Sequence, residues 1–158
     1  MIEFSEPAMR RYNTIVSHYP EKRAAVVPVL TLAQREFGWI SGEVAEYVGG
    51  LMGYPASDML SVASFYTMLH KKPVGKHHIE VCRNVSCWLA GTYPCVDAIK
   101  EILKIDVGGT TSDGKFSLEL TECLGSCGTA PAMQVGDRYY ENLTPKLVGE
   151  ILEKLSND

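Results

Sequence analysis

All five cysteines of this 158-residue chain fall between positions 82 and 127. CRNVSC places four residues between Cys82 and Cys87, and CLGSC places three between Cys123 and Cys127. Thiols paired in this way can converge as thiolates on metal. Structural zinc sites commonly use the shorter Cys-x-x-Cys pair, whereas a [2Fe-2S] cluster is larger than one ion and tolerates wider gaps. The spacing therefore points to one [2Fe-2S] cluster on Cys82, Cys87, Cys123 and Cys127, with a structural zinc module as the competing reading. Gly125 and Gly128 let the second loop pass close to the metal with its N–H groups turned toward sulfur.

The other candidates are weaker. Cys95 falls within an expected helix, where a lone thiol acts as a small hydrophobe. His77 and His78 could be Rieske-type ligands, but four cysteines leave no place for them. The stretch from Gly109 to Lys115 imitates a phosphate loop, yet Phe116 stands where Ser or Thr must reach magnesium, and a strand follows instead of a helix. No Cys-x-x-Cys appears, so dithiol exchange is disfavoured, and no G-x-G-x-x-G indicates a dinucleotide on this chain. No nucleophile and base constellation is evident, so no catalytic residue is assigned and no complete active site is expected here.

The bulk composition is that of a soluble globular protein, 46% hydrophobic and 22% charged with a net charge of -4. Without a basic block, neither nucleic acid nor an anionic membrane is an expected partner. No stretch approaches the ~20 apolar residues of a membrane span, and the opening MIEFSEPAMRR lacks the apolar run of a signal peptide. A cytoplasmic setting is expected, and in a reducing compartment an odd number of cysteines argues for metal over disulfides.

These ligands need elements to position them. The first seventy-odd residues predict a helical bundle. Ser5 caps a helix with Pro7 in its first turn, ending near His18. A second follows Pro20 with Val26, Val27, Leu30, Ala33 and Phe37 on one face and Gly38 at its exit. Ser41 caps a third helix closed by Gly53, and Ser57 or Asp58 opens a fourth. LHKKPVGKHH reads as a linker, dividing the chain into a bundle over 1–74 and a second domain over 75–158. That domain begins with a strand at 78–81, then a helix from about Cys87 or Tyr93 to Leu103, then a strand over 115–121. Both cysteine pairs would sit on tight loops after strands, which lie together at the carboxyl ends of neighbouring strands in an open α/β sheet. A hairpin turns at Gly136-Asp137 between 133–135 and 138–140. Thr144-Pro145 starts a last helix buried through Leu147, Val148, Ile151, Leu152 and Leu155. The expected fold is α/β: an N-terminal helical bundle followed by a domain of thioredoxin-like outline with a mixed sheet, which would hold the [2Fe-2S] cluster.

YPEKRAAVVPVLTLAQREFGWIS, VASFYTMLHKKPVGKHHIEVC, CRNVSC, CLGSCGTAPAMQVGD and YYENLTP stand in an order that resembles one family of bacterial NADH-quinone oxidoreductase components. These are the small [2Fe-2S] subunits, called E, of the NADH-oxidising arm of respiratory complex I. The resemblance covers nearly the whole chain and implies a bundle joined to a thioredoxin-like domain, with ligands on the same four cysteines. It also implies a larger partner that binds FMN and NADH and carries its own iron-sulfur cluster, other complex I subunits beyond it, and a place on the cytoplasmic face of the inner membrane with no membrane insertion. Related pairs occur in NAD-linked hydrogenases and formate dehydrogenases, and a free-standing thioredoxin-like ferredoxin is a further possibility. In relatives the first loop often has threonines and a proline; here Arg83, Asn84, Val85 and Ser86 fill it, so hydrogen bonding to sulfur can differ.

Overall fold

Ser5 opens α1 (Glu6–Ser17) by accepting from the Ala8 N–H at 3.4 Å. Pro7 lies in the opening turn, where its missing N–H costs nothing. The protein is described by a computed structural model over residues 2–157. A 3-10 turn (Lys22–Ala25), which the sequence pattern does not predict, precedes α2 (Val26–Phe37). Pro28 explains it: an α-helix running from Pro20 would bury that proline in its interior, whereas a start at Val26 keeps it in the first turn. Val26, Val29, Leu30, Leu32 and Ala33 are buried, while Val27 and Phe37, expected on that face, are half-buried. Phe37 instead stacks on Phe4, 5.5 Å between centroids.

Ser41 caps α3 (Gly42–Met52) by accepting from the Val44 N–H, and Gly53 closes it at φ 80°. The next helix, α4 (Ala56–Phe65), starts ahead of the expected Ser57 or Asp58. Pro55 supplies its N-cap without a side-chain bond, and its carbonyl accepts from the Asp58 N–H. Asp58 in the first turn then complements the helix dipole. These four helices enclose one core and form a compact unit that ends at Pro73. Its last segment is pinned by Gln34, whose amide donates to the Met68 carbonyl and accepts from the His70 N–H.

A second compact unit begins at Val74. It runs β1 (His77–Cys82), α5 (Val85–Ala90), α6 (Thr92–Leu103), β2 (Phe116–Thr121), β3 (Met133–Val135), β4 (Arg138–Tyr140) and α7 (Pro145–Ser156). The sheet order is β2-β1-β3-β4, with β1 parallel to β2 and antiparallel to β3, and β3 antiparallel to β4 through Gly136 at φ 59°. This is the expected mixed sheet. One face carries Ile79, Val81, Phe116, Leu118, Met133 and Val135, whose core also takes in Val96 and Ile99 of α6 and Val148, Ile151 and Leu152 of α7. α6 packs on α7 and against β1. The expected linker is not free at its end: Gly75 donates to the Ser117 hydroxyl, and a Cβ there would lie 2.4 Å from the Phe116 backbone.

The opposite face alternates to polar residues, and the register sets Glu80 beside Glu119 on β2 and Gln134 on β3. Burial, reinforced by the Glu119 carboxylate, holds the Glu80 carboxyl above the usual glutamate range. A raised acid favours its protonated form in the fold, so its contribution to stability is complete below the unfolded value and is lost as pH rises through the folded one. Glu80→Gln is therefore expected to raise the urea midpoint at pH 7, with the gain shrinking toward pH ~4. A lower midpoint at pH 7 would contradict this account.

Candidate metal centre

Each cysteine pair grows from one of the two parallel strands. Cys82 is the last residue of β1, where its N–H donates to the Ala132 carbonyl at 3.1 Å and its carbonyl accepts from the buried Thr92 hydroxyl at 3.0 Å. Asn84 begins α5 and accepts from the Val85 N–H, which puts Cys87 in the first turn of that helix. Thus the first pair lies on a strand end and a helix, and the loop expected from the sequence shrinks to Arg83-Asn84. Cys123 and Cys127 follow β2, with Cys127 opening a 3-10 turn (Cys127–Thr129).

The pairs differ in exposure. Cys82 and Cys87 are each 2% exposed and share a small apolar cluster with Ala132, against which Leu124 and Ala130 pack. Cys123 and Cys127 are exposed, and their sulfurs lie 4.0 Å apart. Metal–sulfur bonds of about 2.3 Å at a tetrahedral angle would set two thiolates ~3.8 Å apart. Cys87 lies against the Cys82 thiol and feels the charge of Cys127, while Cys123 and Cys127 face each other across 4.0 Å. Among the described residues no three His, Cys, Asp or Glu side chains converge to hold a single metal ion. Two thiol pairs on adjacent strands suit a two-iron cluster, which distributes four thiolates over two irons. The donor set therefore fits a [2Fe-2S] cluster.

Burial pushes the Cys87 thiol up, as do its contact with Cys82 and, more weakly, the charges of Cys82 and Cys127, while the Ala132 N–H opposes this by donating to the sulfur. Gly125, at φ 82°, donates its N–H to the Cys123 sulfur at 3.4 Å, as the glycine in that loop implies. Gly128 has no such conformational requirement. On the outer side, Glu141 accepts from the Thr129 hydroxyl at 2.5 Å and from Ser126, and these bonds hold its carboxyl below the usual range. Arg83 and Glu122, at the roots of the two loops, form an ion pair at 2.5 Å.

The remaining candidates lie elsewhere. His77 and His78 begin β1, roughly 16 and 13 Å along the strand from Cys82. His78 meets the Ser117 hydroxyl at 2.7 Å, and the His77 ring packs beside Phe116. Cys95 is buried in the α6 core, where desolvation raises its pKa and keeps it an unreactive thiol. The Gly109–Lys115 stretch is a turn in which the Asp113 carboxylate accepts from Thr111 and the Lys115 N–H. Sequence pattern alone misses Thr92, Ala132 and Glu141. Only the Thr-Tyr-Pro helix start hints at Thr92.

A family profile described as thioredoxin-like [2Fe-2S] ferredoxin matches residues 12–156. The E subunit of NADH-quinone oxidoreductase from Rickettsia bellii is 46% identical over 98% of this chain and 95% of its own length. The E 2 subunit of NADH-quinone oxidoreductase from Rhizobium meliloti is 41% identical over 87% of this chain and 82% of its own. Among solved structures, an NAD+-reducing [NiFe]-hydrogenase in the air-oxidized state superposes with a TM-score of 0.74 at 20% identity, over 84% of this chain and 23% of that one. That last likeness is one of fold.

Proposed function

We propose, from the premise that this chain belongs to the thioredoxin-like [2Fe-2S] ferredoxin family, that it is the electron-transfer subunit of an NADH-quinone oxidoreductase and that Cys82, Cys87, Cys123 and Cys127 hold its cluster. The ligand assignment is supported by the two cysteine pairs following the adjacent parallel strands β1 and β2, with Cys87 against Cys82 and the Cys123 and Cys127 sulfurs 4.0 Å apart. When bound, the cluster supplies one-electron chemistry with no bond made or broken to substrate.

The chain's own residues set the conditions for that chemistry. Each thiol must give up its proton to bind, and Cys87, its pKa raised by burial, would be held as thiolate by the metal. The Gly125 and Ala132 N–H groups donate to sulfur and stabilise the added negative charge of the reduced state. No step needs a general acid, base or nucleophile from this chain.

Supporting a protein partner, residues 84–96 and 123–136 contain no Asp, Glu, Lys or Arg, although charged residues make up 22% of the chain. On α5, Trp88 is 55% and Leu89 75% exposed, with Val85 and Tyr93 also exposed beside them. Charge depletion with exposed aromatic residues is the composition of a protein interface. We assign that partner as the larger FMN- and NADH-binding iron-sulfur subunit, with residues 75–158 holding the cluster and 1–74 forming a separate bundle. Among the described residues no helix is long and apolar enough to cross a membrane. We place the chain at the cytoplasmic face of the inner membrane through its complex.

The test is anaerobic iron and acid-labile sulfide analysis of the purified chain, with EPR before and after dithionite. Iron and sulfide in the ratio of a [2Fe-2S] cluster, with a rhombic signal appearing only on reduction, is the expected result. Zinc without sulfide and without a signal would replace it with a structural metal module.

A further inference from the structure

The outer ligand loop is gripped by residues that do not belong to it. Glu141, one residue past β4, accepts from the hydroxyls of Ser126 and Thr129, which flank Cys127 on either side. The next residue, Asn142, takes a positive φ of 50° and donates its N–H to the Thr129 carbonyl at 2.7 Å. The Thr129 N–H donates to the Ser126 carbonyl at 3.1 Å, closing the turn between them. Cys127 is therefore clasped from outside the turn that contains it. Residues 123–136 contain no Asp, Glu, Lys or Arg, and Glu141 brings a carboxylate to the loop from beyond the β3–β4 hairpin.

We propose that Glu141 is a positioning residue for Cys127, which holds the outer thiol pair ready for iron and, as a fixed anion beside the loop, lowers the reduction potential of the cluster. The inference rests on the ligand assignment above. An exposed loop with two ligands loses conformational freedom on binding iron, and ordering it beforehand reduces that cost. A fixed negative charge favours the oxidised cluster, because reduction adds another.

Two substitutions separate the roles. Glu141→Gln keeps an oxygen that accepts from both hydroxyls but removes the charge; Glu141→Ala removes both. In the cluster-loaded full-length chain, Glu141→Gln is expected to keep the wild-type iron and sulfide content while its EPR-monitored redox titration shifts to higher potential. Glu141→Ala is expected to lose iron to a chelator about tenfold faster than wild type, with its circular dichroism spectrum unchanged and with retention restored in Glu141→Gln. Wild-type iron loss in Glu141→Ala would overturn the positioning role, and an unshifted titration in Glu141→Gln would overturn the electrostatic one. Absence of iron and sulfide from the wild-type chain would be a different failure, that of the cluster assignment itself.

Discussion

Cys87→Ser is expected to abolish stable cluster retention, lowering iron affinity by more than about a hundredfold. Cys87 is 2% exposed in the first turn of α5, packed with Cys82 and Ala132. A serine oxygen has shorter reach than sulfur, and position 82 is tied into the sheet by its hydrogen bond to Ala132 while position 87 is set by the helix that Asn84 caps. The hydroxyl would also occupy a pocket built for sulfur, in which the Ala132 N–H is the polar partner. Iron and sulfide analysis after gel filtration with a chelator measures the effect. Cys95→Ala is the control: that thiol lies in the α6 core beside Val96 and Ile99, so its loss should cost stability and leave the cluster in place. Full iron content in Cys87→Ser, or cluster loss in Cys95→Ala, would overturn the ligand assignment.

Ile79→Ala should carry the largest cost in stability, about 3–4 kcal/mol. Ile79 is 0% exposed on β1, the strand flanked by β2 and β3, where its register partners are Leu118 and Val135. Truncation leaves a cavity between the sheet and the α6 and α7 side chains of that core. Strand pairing on both sides keeps the backbone from collapsing into the gap, so the cavity contribution adds to the lost burial. Against a typical net stability of 5–15 kcal/mol for a folded protein, the loss is large. Urea denaturation should show a lower midpoint with an unchanged slope. A fall below about 1 kcal/mol would mean that the site relaxes and that the core is less rigid than its packing indicates.

Local signals are the most legible part of the sequence. Ser5, Ser41 and Thr144 each cap the helix that follows them, as their residue types predict, because such a cap is decided within four residues. The Gly136-Asp137 turn and the strands on either side of it follow the same logic. The fourth helix misleads because Ser57 and Asp58 look like caps, yet Pro55 sets the extended conformation just before the helix and leaves both inside the first turn. The stretch after Cys87 holds two possible helix starts. The sequence pattern gives one helix from one of these starts to Leu103, whereas the chain forms two, α5 from Val85 and α6 from Thr92, because Gly91 at φ 104° breaks the run.

At the candidate metal centre, the four proposed ligands are picked out by spacing, while their surroundings are not. Strand order 2-1-3-4 lays β3 along β1, bringing Ala132 beside Cys82 and Cys87 across some fifty positions of sequence. Glu141 reaches the Cys127 turn by the same route, through the β3–β4 hairpin. No local pattern encodes such neighbours, because they depend on which strand inserts where. The contrast between a buried and an exposed pair is hidden for the same reason.

That contrast gives the centre a weathered side and a sheltered one. Chelators, peroxide and adventitious metals arrive from solvent and meet Cys123 and Cys127 first, while Cys82 and Cys87 stay behind Leu124, Ala130 and Ala132. With the cluster held as proposed, corrosion is expected to begin at the exposed pair, leaving the inner pair as the foothold from which the site is rebuilt. A chain separated from its complex would age from the outside inward, and its shelf life would be decided at the CLGSC loop.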